Sequence, residues 1–230
     1  MTTNNQNLKK NSDKSFIVTA SIPLSDIKKQ ENIILKQLSL HTNTPGFRPG
    51  KTPINLVKEQ ISQNKLFEEI ASKLLSIAYE KIVKENNLHP VIEPKIKFLN
   101  KRVDLEHQWQ VQFESSELPE IVLNSKYLNQ IKKSKDKKPE KILEIVTQNS
   151  TVNLPEIIFK DYPLKEQKNI KKEWLINLAV FKIANNFKIT VSQTQINTII
   201  SQNPKLSHNT NLIYNILIQQ KVIHHLQNIK

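Results

Sequence analysis

The sequence predicts an α+β domain built on a three-stranded sheet with helices, followed by an all-α domain. Three observations predict this order. Apolar residues alternate with period two at Phe16, Val18, Ala20 and Ile22 and again at Trp109, Val111 and Phe113, the mark of strands buried on one face. Between these runs apolar residues recur at the 3.6-residue period of amphipathic helices. Past Ser116 the helical period is the one that remains.

Each element follows from local chemistry. Residues 1–14 are polar, with no apolar run and no arginine, so they read as a disordered start without a targeting segment. The first strand ends at Pro23, and Ile27, Ile34, Leu35 and Leu38 mark one face of a helix from Leu24 to His41. A turn-rich break, Thr44 to Pro53, comes next; Thr52 suits a helix cap and Pro53 the first helical position, where a missing N–H costs nothing. Ile54, Val57 and Ile61 stripe that short helix, and Phe67, Ile70, Leu74, Ala78 and Ile82 stripe a long one from Lys65 to Asn87. Pro90 and Pro94 force extended chain before two strands, Ile96 with Phe98 and Trp109 to Phe113, around a charged turn at 102–106. The first domain therefore spans residues 15–115.

Residues 116–138 read as an extended connector closing on a basic, solvated linker, Lys132 to Pro139. The helical domain, residues 139–230, opens with a helix from Pro139 to Asn149, interrupted at 151–155. Trp174, Leu178 and Phe181 stripe the next helix. Ser192 and Gln195 form an S-x-x-Q capping box that starts another at Gln193. Asn203-Pro204 stops it, and a final helix from Thr210 to Asn228 carries Leu212, Ile213, Ile216, Leu217, Ile223 and Leu226.

Composition narrows the chemistry. A chain of 230 residues with 37% hydrophobic content can fill two small cores. It has no cysteine, and His41, His89, His107, His208, His224 and His225 never fall at ligand spacing, so no metal or cofactor is expected. No G-x-S-x-G, P-loop, G-x-G-x-x-G or Cys-His pattern is present, and the adjacent Glu68-Glu69 diverge on a helix. No stretch is long and apolar enough to span a bilayer, and a cytoplasmic location without membrane contact is the expectation. The net charge of +13 favours encounters with polyanions, although all but two of the 34 basic residues are lysine, which a compositional bias also produces.

Both glycines of the chain lie in one break, at Gly46 and Gly50. Glycine takes positive φ without strain, so the pair suits a tight tip between two helices that holds Phe47 and Arg48 outward. Arg48 is one of only two arginines, and a guanidinium fork beside an aromatic ring is the composition of a binding hot spot. The same residues also fit a plain turn with Phe47 tucked into the core.

The run Pro-Gly-Phe-Arg-Pro-Gly-Lys-Thr-Pro, residues 45–53, resembles the signature of trigger factors, bacterial chaperones that dock beside the ribosomal exit tunnel. The resemblance continues through the helix to Asn87 and Asn87-Leu88-His89-Pro90, covering residues 15–115. It implies that Phe47 and Arg48 dock on a large-subunit protein at the tunnel exit and adjacent rRNA, supported by Gly46, Gly50 and Lys51. Pro49 stands where many relatives place a lysine or another polar residue, which removes an ionic contact and stiffens the tip. Asn153-Leu154-Pro155-Glu156 resembles the opening of the family's helical chaperone domain, and 174–192 its later arm. That likeness implies shielding of nascent or unfolded polypeptides; Trp174, Phe181, Leu212, Ile216 and Ile223 are the candidate client-binding residues. The family's prolyl isomerase domain has no room in the short connection from Lys132 to Lys141, so isomerase activity is not expected. The alternative is a basic RNA-binding or ribosome-associated factor without chaperone activity, favoured by the net charge.

Overall fold

A computed structural model describes residues 7–40, 46–48 and 52–229. The chain divides into two compact units, residues 1–118 and 119–230.

The first unit is an antiparallel sheet covered on one face by helices. Strands β1 (Asn7–Lys10), β2 (Ser15–Ile22), β3 (Lys95–Phe98) and β4 (Trp109–Ser116) are ordered β1-β2-β4-β3. β2 and β4 pair over their full length, from Ser15↔Ser116 to Ile22↔Trp109, so the apolar residues of both alternations share one face. Phe16, Val18, Ala20, Trp109, Val111 and Phe113 are all fully buried there. Helix α1 (Leu24–Ser39) contributes Ile27, Ile34 and Leu35 to this core, α2 (Ile54–Gln60) contributes Val57, and α3 (Gln63–Glu85) contributes Leu66, Ile70, Leu74, Ala78 and Ile82. Trp109 meets Phe67 and Phe98 edge to face, its ring lying 5.5 Å from Phe67 and 5.7 Å from Phe98.

The sheet has four strands where the sequence predicts three. The extra strand is β1, in the stretch expected to be a disordered start. Its sequence Asn-Leu-Lys-Lys holds a single apolar residue, and backbone pairing with β2 rather than side-chain alternation makes it a strand. The turn between them closes through Asp13, whose carboxylate accepts the Ser15 amide at 3.0 Å, and through Lys14 at φ 71. α2 also starts one residue later than its capping pattern suggests: Pro53 is the cap, at ψ 139, and Thr52 is buried one residue ahead of it.

The second unit is helical, with one small ladder. β5 (Ile121–Leu123) pairs with β6 (Ser150–Val152), and around them lie α4 (Lys126–Lys133), α5 (Pro139–Gln148), α6 (Leu164–Asn186), α7 (Gln193–Gln202) and α8 (Thr210–Gln227). The predicted all-α character is corrected by this ladder. The stretch expected as connector and basic linker is corrected too: β5 and α4 lie within it, and Tyr127 and Ile131, one helical turn apart, are buried with Ile142, Val146, Ile183 and Val222 in the second core. The lysines at the end of α4, Lys132 and Lys133, are exposed.

With so few glycines, helices end on other residues. After α3 Asn87 takes φ 49, and after α6 Lys188 takes φ 55, each followed by an amide that reaches back into the last turn, Leu88 to Val83 at 2.9 Å and Ile189 to Ala184 at 2.8 Å. α7 begins on the capping box the sequence predicts, with Ser192 and Gln195 bonded to each other's amides.

Candidate functional site

The stem of the candidate tip is the α1–α2 pair. Both helices bury apolar residues in the first core, and an ion cluster locks them together. Glu31 on α1 has a side chain only 6% exposed, and it faces Lys58 of α2 at 2.7 Å and Lys28 at 3.1 Å. Lys28 also reaches Glu106 in the β3–β4 loop at 2.5 Å. Burial alone would raise the Glu31 pKa, yet the two ammonium groups hold it below the ordinary glutamate value. Burial likewise opposes a charged Lys28, while Glu106 and Glu31 hold its pKa above the usual lysine value.

At the tip, Gly46 sits at φ +87, in the region that an L side chain rarely adopts, with open space where a Cβ would stand. Glycine is thus needed here for backbone conformation rather than for clearance. Phe47 is 43% exposed, and Gly46 and Arg48 are exposed beside it. Among the described residues no carboxylate pairs with Arg48. The other arginine behaves differently: Arg102 spends its guanidinium on Asp104, Nε to Oδ2 at 2.7 Å. Asp104 also holds His107 at 2.7 Å, and that bond is foremost in keeping the Asp104 carboxyl below its usual range. Pro49, Gly50 and Lys51 lie outside the described residues.

The second unit divides the client-binding candidates. Leu212 and Ile216, one turn apart on α8, are 53% and 47% exposed. Trp174 is half-buried, and so is Phe181, which stacks on Tyr214 with ring centroids 6.1 Å apart. Ile223 is buried in the second core, which removes it as a contact surface. The helical stripe does not distinguish these cases, because α8 buries Ile213, Ile218, Val222, Ile223 and Leu226 and leaves Leu212 and Ile216 exposed on the side that Ile223 shares. Three exposed apolar residues escape periodicity altogether: Val122 on β5, Tyr162 in the turn before α6, and Leu164 at the first position of α6. Leu164 directly follows Pro163 at the head of α6, and that position is the only hint of its exposure in the sequence.

Among the described residues no group of His, Asp and Glu is arranged to hold a metal ion, and no helix is long and apolar enough to cross a membrane.

The family model for bacterial trigger factor protein matches residues 4–149, more than half of the chain, and the chain belongs to that family. Among curated relatives, the trigger factor of Granulibacter bethesdensis is 31% identical over 105 residues, 46% of this chain and 23% of that protein. The Clostridium botulinum trigger factor is 33% identical over 91 residues, covering 40% and 20%. That of Thermus thermophilus is 31% identical over 74 residues, covering 32% and 18%. The chain thus matches about a fifth of the length of these relatives. A solved chain from work on promiscuous substrate recognition in folding and assembly activities of the trigger factor chaperone aligns with a TM-score of 0.58 at 10% identity. The alignment covers 97% of this chain and 100% of that one, and at such identity the likeness is one of fold.

Proposed function

We propose that this protein is a ribosome-associated chaperone that docks by its Gly46-Phe47-Arg48 tip near the nascent-chain exit and shields newly made polypeptides. The observation that carries the reading is the exposed ring and guanidinium, side by side on a glycine bend, inside the segment matched by the family model. Arg48 meets carboxylates or phosphates bidentately, and Phe47 supplies the apolar anchor, so a large-subunit protein and adjacent rRNA are the partners. Pro49, Gly50 and Lys51 complete the same loop in sequence.

Shielding is assigned to the second unit, where Leu212 and Ile216 offer apolar surface and the half-buried Trp174 and Phe181 expose part of theirs. Such a holdase needs neither cofactor nor turnover and works in the cytoplasm, where ribosomes are. The chain is not an isomerase in this reading: the connection from Lys132 to Lys141 has no room for such a domain, with five residues, 134–138, between α4 and α5.

Sedimentation with large ribosomal subunits tests the proposal. The parent protein should pellet with the subunits, and Phe47→Ala with Arg48→Ala should leave it in the supernatant while its fold persists. Equal pelleting of the double variant, with capture of naked RNA that weakens steeply with salt, would instead support a general RNA binder.

A further inference from the structure

Among the described residues, no further strand pairs with the outer edge of β3, the last strand of the first unit's sheet. β3 pairs antiparallel with β4 from Lys95↔Glu114 to Phe98↔Val111, and just beyond it the Leu99 amide donates to the Gln110 carbonyl at 2.8 Å. In an antiparallel ladder each residue turns its amide and carbonyl to the same side, and successive residues alternate. Leu99, Lys97 and Lys95 therefore face β4, while Ile96 and Phe98 present their N–H and C=O groups outward in strand geometry. The Ile96 side chain is 44% exposed and borders a hollow of about 330 Å³ lined by Leu75, Tyr79, Pro94, Glu80 and Glu93. Lys97 projects, exposed, from the opposite face of the strand.

Two occupants suit an open edge, and charge separates them. A second copy pairing Ile96 against Phe98 would set Lys97 directly against its own counterpart, and like charges across a ladder are unfavourable. An extended chain carrying a carboxylate on that face and an apolar side chain on the other meets opposite charge and a space to fill.

We infer that the β3 edge takes up an extended polypeptide segment of alternating apolar and acidic residues as a fifth strand, an apolar side chain entering the hollow and a carboxylate meeting Lys97. The inference deepens the chaperone reading, on which it rests for the source of the segment, by assigning a client conformation to the first unit. Only two residues offer free backbone groups, so capture is weak and reversible.

Backbone-amide NMR of the full chain, titrated with a short blocked peptide of alternating valine and glutamate, tests it. The Ile96 and Phe98 amides should shift and their hydrogen exchange should slow by about tenfold at saturation. Ile96→Pro removes an outward N–H without breaking a ladder bond and should abolish capture. Lys97→Glu should transfer the preference to a valine and lysine peptide. Parental affinity in Ile96→Pro, shifts confined to α8, or protection of β3 on raising protein concentration alone would each overturn the inference. Should Ile96→Pro disturb the sheet, Lys97→Glu decides by itself, and an unchanged preference is fatal. Failure to pellet with ribosomes alongside intact capture at β3 would sink the docking function and leave this inference standing.

Discussion

The Glu31 cluster makes a quantitative prediction about the stem of the tip. Lys58→Met keeps the length of the side chain but leaves a carboxylate only 6% exposed facing Lys28 alone. Breaking a buried pair from one side costs about 3–5 kcal/mol, and the 40% exposure of Lys58 together with the retained Lys28 reduces this to about 2 kcal/mol. Glu31→Gln is milder, about 0.5–1 kcal/mol, because both lysines it releases can return to water. The double variant should match Glu31→Gln, giving a coupling of about 2 kcal/mol. The pKa of Glu31 is lowered in the folded state, so its contribution is complete above the ordinary glutamate range and disappears as pH falls through the folded value. The Lys58→Met penalty should therefore shrink on acidification from pH 7. Trp109 reports the first unit and Trp174 the second, so urea unfolding in a Trp174→Phe background isolates the relevant transition. With m near 1–3 kcal/mol per molar, Lys58→Met should lower the midpoint by about 1 M. Equal penalties for Lys58→Met and Glu31→Gln at pH 7, or a Lys58→Met penalty independent of pH, would refute the reasoning.

Ile131→Ala should destabilise the second unit by about 2–5 kcal/mol, read by Trp174 fluorescence in urea, because Ile131 is fully buried; a solvated linker would feel nothing. Ser192→Ala removes the cap of α7 and should cost about 1 kcal/mol by the same readout. Leu212→Ser with Ile216→Ser should leave stability within about 0.5 kcal/mol and weaken suppression of aggregation of an unfolded client, measured by light scattering.

Where side-chain pattern decides structure, the sequence was readable. β2 and β4 showed their alternation because one face of the sheet is buried and the other half-exposed. The capping box at Ser192 was legible because it is purely local. β1 was not, since a polar edge strand is held by its neighbour's backbone. The lysines of α4 masked Tyr127 and Ile131, although their spacing of one turn was the available signal. The glycine pair singled out the tip, and Gly46 does take positive φ. What periodicity could not say was which apolar positions on α8 lie under a neighbour, and so it grouped the buried Ile223 with the exposed Leu212 and Ile216.

A photoreactive phenylalanine analogue installed at position 47 addresses docking at its point of contact. Irradiated with ribosomes, it should form an adduct to a large-subunit protein beside the tunnel exit, lost on adding Arg48→Ala. Adducts only within its own chain, or adducts unaffected by Arg48→Ala, would contradict the assignment of this bend as the ribosome contact.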